Sequence, residues 1–272
     1  MIILAVSFAL YLLALWKRPL LYIGLVLQVA YIISRGVQLE RLPLVGPHDT
    51  LVFLAASIAA FSIPFGFLLK DKKRFFDIAA ISAGILTVFV MLSKQHNSPL
   101  PPVLKTFWFE CHVVLAFMSY ALFGIAAILG FIYLNQSCRQ IDTEKPISAG
   151  AGFKPAPTNA GEAESEKFPQ ESREHAVEGL MYRAALIGYC LFSLSMIFGG
   201  IWAYLAWGTY WMWTPKELWT SILWGFYSFY LHARLRQRWI GRPMAYLAIA
   251  GFAITMFTYL GVSLLMKSSH SF

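Results

Sequence analysis

Three histidines and a run of tryptophans are the residues of this chain best suited to chemistry. His112 follows Lys105-Thr-Phe-Trp-Phe-Glu110-Cys at the head of an apolar stretch, and His270 stands third from the end of the sequence. Imidazole is the commonest metal ligand among side chains and one of the usual axial ligands of haem iron. Between Trp202 and Trp224 lie six of the nine tryptophans, and the centre of that stretch reads Trp207-Gly-Thr-Tyr-Trp211-Met-Trp213-Thr-Pro-Lys-Glu217. Trp207, Trp211 and Trp213 offer apolar ring faces and N–H donors suited to stacking on a large flat ligand, and Lys216 has the charge to meet a propionate. Two histidines flanking such a platform have the ingredients for axial ligation of a haem iron. The plainer alternatives are wetted polar groups for the histidines and an interfacial aromatic belt for the rings. The belt accounts for Trp202, Trp219 and Trp224 near helix ends better than for the three in the connection. Glu217, two residues after Pro215, falls in the first turn of a helix, where a carboxylate suits the helix dipole whatever its chemistry.

His232 is of a different kind. It lies about 13 residues in from Trp219, roughly 20 Å at helical rise, which places it at membrane depth. Ionisable groups there face a bundle interior or a polar path and mark function by default. Ser221, Gly225, Ser228 and His232 are spaced four, three and four, so they share one helical face. That face has room for a porphyrin plane or for a neighbouring helix, with His232 bonded across in the second case. His48 and His96 read as polar loop residues, and His175 as a solvated one.

The elements that position these residues follow from composition. Of 272 residues, 58% are hydrophobic and 13% charged, with a mean hydropathy of +0.60. That is an all-α polytopic membrane protein. Eight apolar stretches are readable as transmembrane helices, at about 1–16, 19–35, 50–69, 75–93, 109–135, 180–203, 219–235 and 243–266. The net charge of +8 sits in short clusters between them, not in an aromatic-laced basic domain, so nucleic acid is not the expected partner. One set of alternate loops holds ten basic residues, at Lys17-Arg18, within Lys70-Asp-Lys-Lys-Arg74, and at Arg234, Arg236, Arg238 and Arg242, against six on the other side. By the positive-inside rule the first set is cytoplasmic. Both termini, the tryptophan-rich loop, His112 and His270 are then expected on the outer side.

The chain divides into a five-helix membrane region (1–136), a Gly-, Pro-, Ala- and Glu-containing cytoplasmic stretch read as a disordered linker (137–179), and a three-helix membrane region with the tryptophan loop (180–272). The first apolar run lacks a preceding basic residue and a small-residue cleavage pattern, so it is expected to be retained. Cys111, Cys138 and Cys190 have no pairing or CxxC spacing, which indicates neither a disulfide nor a redox centre.

At these residues the chain resembles the CcsA (ResC) family of c-type cytochrome biogenesis proteins, within the tryptophan-rich "WWD" haem-handling superfamily. The resemblance runs through Leu180-Met-Tyr-Arg183, Gly199-Gly-Ile-Trp-Ala203, Ala206-Trp-Gly-Thr-Tyr-Trp-Met-Trp-Thr-Pro-Lys-Glu217, Tyr230-Leu-His-Ala-Arg234, Phe257-Thr-Tyr-Leu-Gly261 and Ser269-His-Ser271. Upstream, Leu100-Pro-Pro102 and Cys111-His-Val-Val-Leu-Ala-Phe-Met-Ser-Tyr120 match the segment around the family's first outer histidine. It implies an outer haem b on the tryptophan loop with His112 and His270 as axial ligands. It also implies a membrane-buried haem near His232, whose second ligand comes from a CcsB (ResB)-like partner. The implied activity is system II cytochrome c maturation in the bacterial cytoplasmic membrane. Haem is moved to the outer face and presented to the CxxCH of apocytochrome c, within a holocytochrome c synthase (haem lyase) complex. One position departs from the family motif: Thr214 stands where the family has aspartate. It can still cap the helix beginning at Pro215, but a role that needs negative charge is lost. The alternative is a HemX-like regulator of haem biosynthesis or haem sensor, which shares the architecture without ligation activity.

Overall fold

The computed structural model describes residues 1–97, 99–143 and 160–262, with the backbone alone over 137–143 and 160–173. Among the described residues all regular structure is helical: α1 (Ile2–Leu13), α2 (Pro19–Leu39), α3 (Pro47–Phe67), α4 (Lys72–Leu92), α5 (Phe107–Thr143), α6 (Ala160–Trp207), α7 (Pro215–Leu235) and α8 (Arg242–Met256). A 3₁₀ turn, Pro102–Leu104, precedes α5, and a π-helical turn, Phe257–Gly261, follows α8. Proline stands in the first turn of α2, α3, α7 and α8, where its missing N–H leaves no hydrogen bond unmade.

Six of these helices are long and apolar enough to cross a membrane: α2, α3, α4, the Phe107–Gln136 part of α5, the Glu174–Trp207 part of α6, and Arg242–Gly261. The other two expected spans fall short for different reasons. The helix of α1 has 12 residues and stops before Trp16-Lys-Arg-Pro; at helical rise it covers about 18 Å of a core roughly 30 Å thick. The 21 residues of α7 are long enough, but Lys216, Glu217, Thr220, Ser221, Ser228, His232 and Arg234 dilute its apolar character. The stretch read as a linker is helical at both margins. The helix of α5 continues to Thr143, and α6 begins at Ala160 in Ala- and Glu-containing sequence of good helix propensity. Residues 144–159 lie outside those described.

The central post is α5: 83% of its span is buried, against 28% for α2 and for α6. It packs most extensively on α6, and also on α3 and α8. Gly130 permits the α8 contact, since a Cβ there would stand 2.9 Å from the Ala245 carbonyl oxygen. Phe123 of α5 stacks on Tyr227 of α7 at 3.6 Å and 9°. In the membrane interior Tyr11 donates to Gln28 Oε1 at 2.5 Å, and Gln28 Nε2 donates to Thr87 Oγ1 at 3.2 Å. That chain ties the short α1 to α2 and α4 and satisfies three polar groups that lipid would not.

Polar ties also close both ends of the bundle. At the end carrying the tryptophan loop, Arg35 Nε pairs with Asp49 Oδ1 at 3.2 Å, both side chains almost fully buried, and the Arg35 guanidinium donates to the His96 carbonyl. Beside them His48 Nδ1–H donates to Val90 O at 3.1 Å, while its Nε2 accepts from Tyr31 at 2.7 Å. His48 is therefore a satisfied, buried residue in the first turn of α3, not the loop residue its Pro47 neighbour suggests. At the opposite end buried Glu178 of α6 accepts from Arg234 at 2.5 Å and from the Gly241 N–H at 3.1 Å, which fastens the α7–α8 turn.

Candidate functional site

The His112 imidazole is seated by α6. Its Nδ1–H donates to the Ser195 carbonyl oxygen at 2.8 Å, with Ser195 Oγ at 3.1 Å from the same nitrogen, and that hydroxyl donates to the His112 carbonyl at 2.8 Å. A proton on Nδ1 leaves the lone pair on Nε2, the tautomer in which a histidine ligates a metal through Nε2. Space for the ring comes from Gly199, one helical turn beyond Ser195: a Cβ there would lie 2.6 Å from His112 Nδ1. Ser195 and Gly199 are residues that the histidine-centred sequence reading misses. Their signal was present as two small residues four apart on one helical face, the pattern that lets helices approach closely.

The same end of α6 leads into the tryptophan loop. A Cβ on Gly200, next to the His112 seat, would stand 3.7 Å from the Tyr210 carbonyl oxygen, so seat and loop adjoin. Trp202 anchors the loop from behind. It is buried, its Nε1–H donates to Val103 O at 2.8 Å, and it meets Trp207 edge-on at 4.7 Å in a cluster with Val45, Leu100 and Leu104. Trp207 and Trp211 are half-buried; Trp213 is 70% exposed and meets Trp211 edge-on at 6.5 Å. Tyr204 and Tyr210, also exposed, stack on each other at 4.5 Å and 11°. The open aromatic surface thus belongs to Trp213, Tyr204 and Tyr210, with Trp207 as the prop that joins it to the core.

Glu217 holds this loop in shape. Its Oε2 accepts from the Met212 N–H at 3.0 Å and the Thr214 N–H at 2.9 Å, and the Glu217 N–H donates to Thr214 Oγ1 at 3.3 Å. Thr214 and Glu217 therefore form a capping box at the start of α7. The two amides bound by the carboxylate flank Trp213, whose φ of 56° lies in the left-handed region that a bulky residue enters only when its surroundings hold it there. The threonine supplies the cap oxygen that an aspartate would. Glu217→Ala is accordingly expected to relax Trp213 and cost about 1–2 kcal/mol of cap, whereas Thr214→Asp should leave the loop unchanged. Near-UV circular dichroism reads the tryptophan packing, and a Glu217→Ala spectrum equal to the parent's would refute the clamp.

The remaining expected site residues lie in different settings. Lys216, half-buried in the first turn of α7, has its pKa lowered by loss of hydration. His232 is exposed in the last turn of α7, and Gly225 on the same face has open space where a Cβ would stand. The stripe from Ser221 to His232 therefore turns away from the bundle, apart from Ser228, which bonds the Tyr189 hydroxyl of α6 at 2.9 Å. His270 lies outside the described residues. The structure brings His112 together with the tryptophan loop and sets His232 on a separate, outward face. The donor set suits haem: an oriented imidazole with its Nε2 lone pair, exposed aromatic faces and a partly desolvated ammonium.

Comparison with known proteins agrees with the sequence resemblance. A family model described as "Cytochrome C assembly protein" matches residues 45–270. The chain is similar to the cytochrome c biogenesis protein CcsA of Mesostigma viride, at 31% identity over 250 residues covering 90% of this chain and 82% of the relative. The CcsA proteins of Guillardia theta, at 31% over 88% of this chain and 79% of theirs, and of Pyropia yezoensis, at 32% over 85% and 78%, are comparable.

Proposed function

Because the chain belongs to the cytochrome c assembly protein family, we propose that it moves haem b across the membrane and presents it outside for thioether attachment to the CxxCH of apocytochrome c. The observation that carries this reading is the His112 seat on Ser195 and Gly199 beside the clamped tryptophan loop. In this reading the outer substrate haem is ligated by His112 and His270, stacks against the loop that carries Trp207, Trp211 and Trp213, and meets Lys216 with a propionate. The partly desolvated lysine makes a stronger ion pair than a fully hydrated one. Addition of each client thiol across a vinyl C=C forms the thioether with no leaving group, so the protein's task is to ligate, orient and exclude. His112 fixed by a main-chain carbonyl serves that task, since a fixed ligand holds the macrocycle in one orientation.

The outward stripe of α7 supports the second half of the proposal. A histidine on a lipid-facing helix with open space at Gly225 suits a haem held between this chain and a CcsB (ResB)-like membrane protein, which supplies the other ligand. In this reading the chain lies in a bacterial cytoplasmic membrane, and the positive-inside pattern supports an orientation with the tryptophan loop outside. Co-expression with a CcsB-like partner in a cell lacking its own maturation system is expected to yield covalent cytochrome c, detected by haem staining after denaturing electrophoresis. A folded, haem-loaded protein that yields none would remove the ligation activity and favour the HemX-like regulatory reading.

A further inference from the structure

Behind the tryptophan loop lies a cavity of about 580 Å³ that the proposed function leaves unused. Two segments far apart in sequence wall it: the end of α2 and its exit with Glu40 and Arg41, and the connection with Leu100 and Lys105 that runs into the head of α5 with Phe107 and Glu110. Its volume is that of a ligand pocket, generally about 300–1,000 Å³.

The charge of the lining narrows the occupant. Two cations and two carboxylates offset one another, so a doubly anionic porphyrin meets Glu40 and Glu110, and a simple cation meets Arg41 and Lys105. Arg41 lies within electrostatic reach of Asp49 and Arg35. A stretch of polypeptide carries amide donors, carbonyl acceptors and apolar side chains together, which is the mixture these walls present. The cavity also shares a wall with the loop support: Leu100 and Leu104 line it and belong to the cluster around Trp202 and Trp207, whose anchor is the Trp202 bond to Val103 O. Glu110, two residues before His112, closes its other side.

We propose that this cavity docks an extended segment of the client polypeptide, on the reading that the chain serves in cytochrome c maturation. The segment lies against the cluster that props the tryptophan loop and beside the head of α5, two residues along from His112, so a neighbouring stretch of the same client can reach the outer haem. Exposed Lys105 and Phe107 make the cavity accessible.

The test uses the full chain purified with its CcsB-like partner and a synthetic apocytochrome peptide containing CxxCH. A photocrosslinking residue at Phe107 (Phe107→p-benzoylphenylalanine) is expected to capture the peptide; the same residue at exposed Phe131, farther along α5, is not. With a peptide that carries a carboxylate beside CxxCH, Lys105→Glu is expected to weaken binding about fivefold, the scale of one exposed ion pair, with the haem absorption spectrum unchanged. Capture at Tyr210 but none at Phe107, with haem bound, overturns the docking site and leaves the maturation reading intact. Absence of a haem spectrum together with absence of capture at either position overturns both.

Discussion

A His112→Gly variant, purified with its partner, is expected to lose its outer haem and regain it when imidazole is added. The wild-type ring is held by the Ser195 carbonyl at 2.8 Å and seated over Gly199, so its removal leaves a cavity of imidazole shape with the hydrogen-bond acceptor still in place. The loss of affinity is expected on the order of a hundredfold or more, since removing an outer-shell partner alone costs roughly 10–100-fold and here the ligand itself goes. The Soret band of the purified complex measures it. A band unchanged in position and intensity, with or without imidazole, would remove His112 from the ligand set. Gly199→Val supplies the complementary case: His112 is present but displaced, and haem affinity is expected to fall although no candidate ligand has been touched.

The second large effect concerns stability. Asp49→Ala is expected to destabilise the protein by about 3–5 kcal/mol, the usual result of removing one partner from a buried ion pair. Side-chain exposures of 6% for Arg35 and 1% for Asp49 put the pair out of reach of water, so the remaining guanidinium keeps only its bond to the His96 carbonyl. Desolvation dominates here, and the double change Arg35→Met with Asp49→Leu is expected to recover most of the loss, because it removes both charges together. Thermal unfolding in detergent distinguishes the variants. An Asp49→Ala unfolding temperature equal to the parent's would show that the pair contributes nothing, and a double variant as unstable as the single one would show that geometry, not charge, is what Asp49 supplies.

What was legible in the sequence was whatever depended on local pattern. Apolar runs gave the helical membrane architecture, and Pro215 with Thr214 and Glu217 gave the start of α7, down to the capping oxygen. The histidine at the head of α5 and the aromatic connection were both visible as residue types. Their neighbourhood was not, because the contact that joins them crosses 83 residues between His112 and Ser195. The same limit applies to His48, where Pro47 suggests a loop while its partners Tyr31 and Val90 come from two other helices. For His232, spacing identified a face without saying which way it turns. Burial of Leu223, Tyr227, Tyr230 and Leu231 on the other side of α7 decides that it points outward. The end of the first apolar run was legible at Trp16-Lys-Arg-Pro, yet the packing of α1 against α2 and α4 depends on Gln28, which local pattern did not single out.

The acceptor that orients His112 is a main-chain oxygen, and every amino acid carries one. Drift at position 195 is therefore buffered: Ser195→Ala forfeits the hydroxyl's two contacts but keeps the carbonyl that fixes the tautomer. An alanine scan of α6 would pass over this position with a mild phenotype and rank it as unimportant. The constraint is recorded one turn later, at Gly199, where no side chain exists to be deleted and only additions are informative. A search for residues that govern this histidine must enlarge side chains to find them.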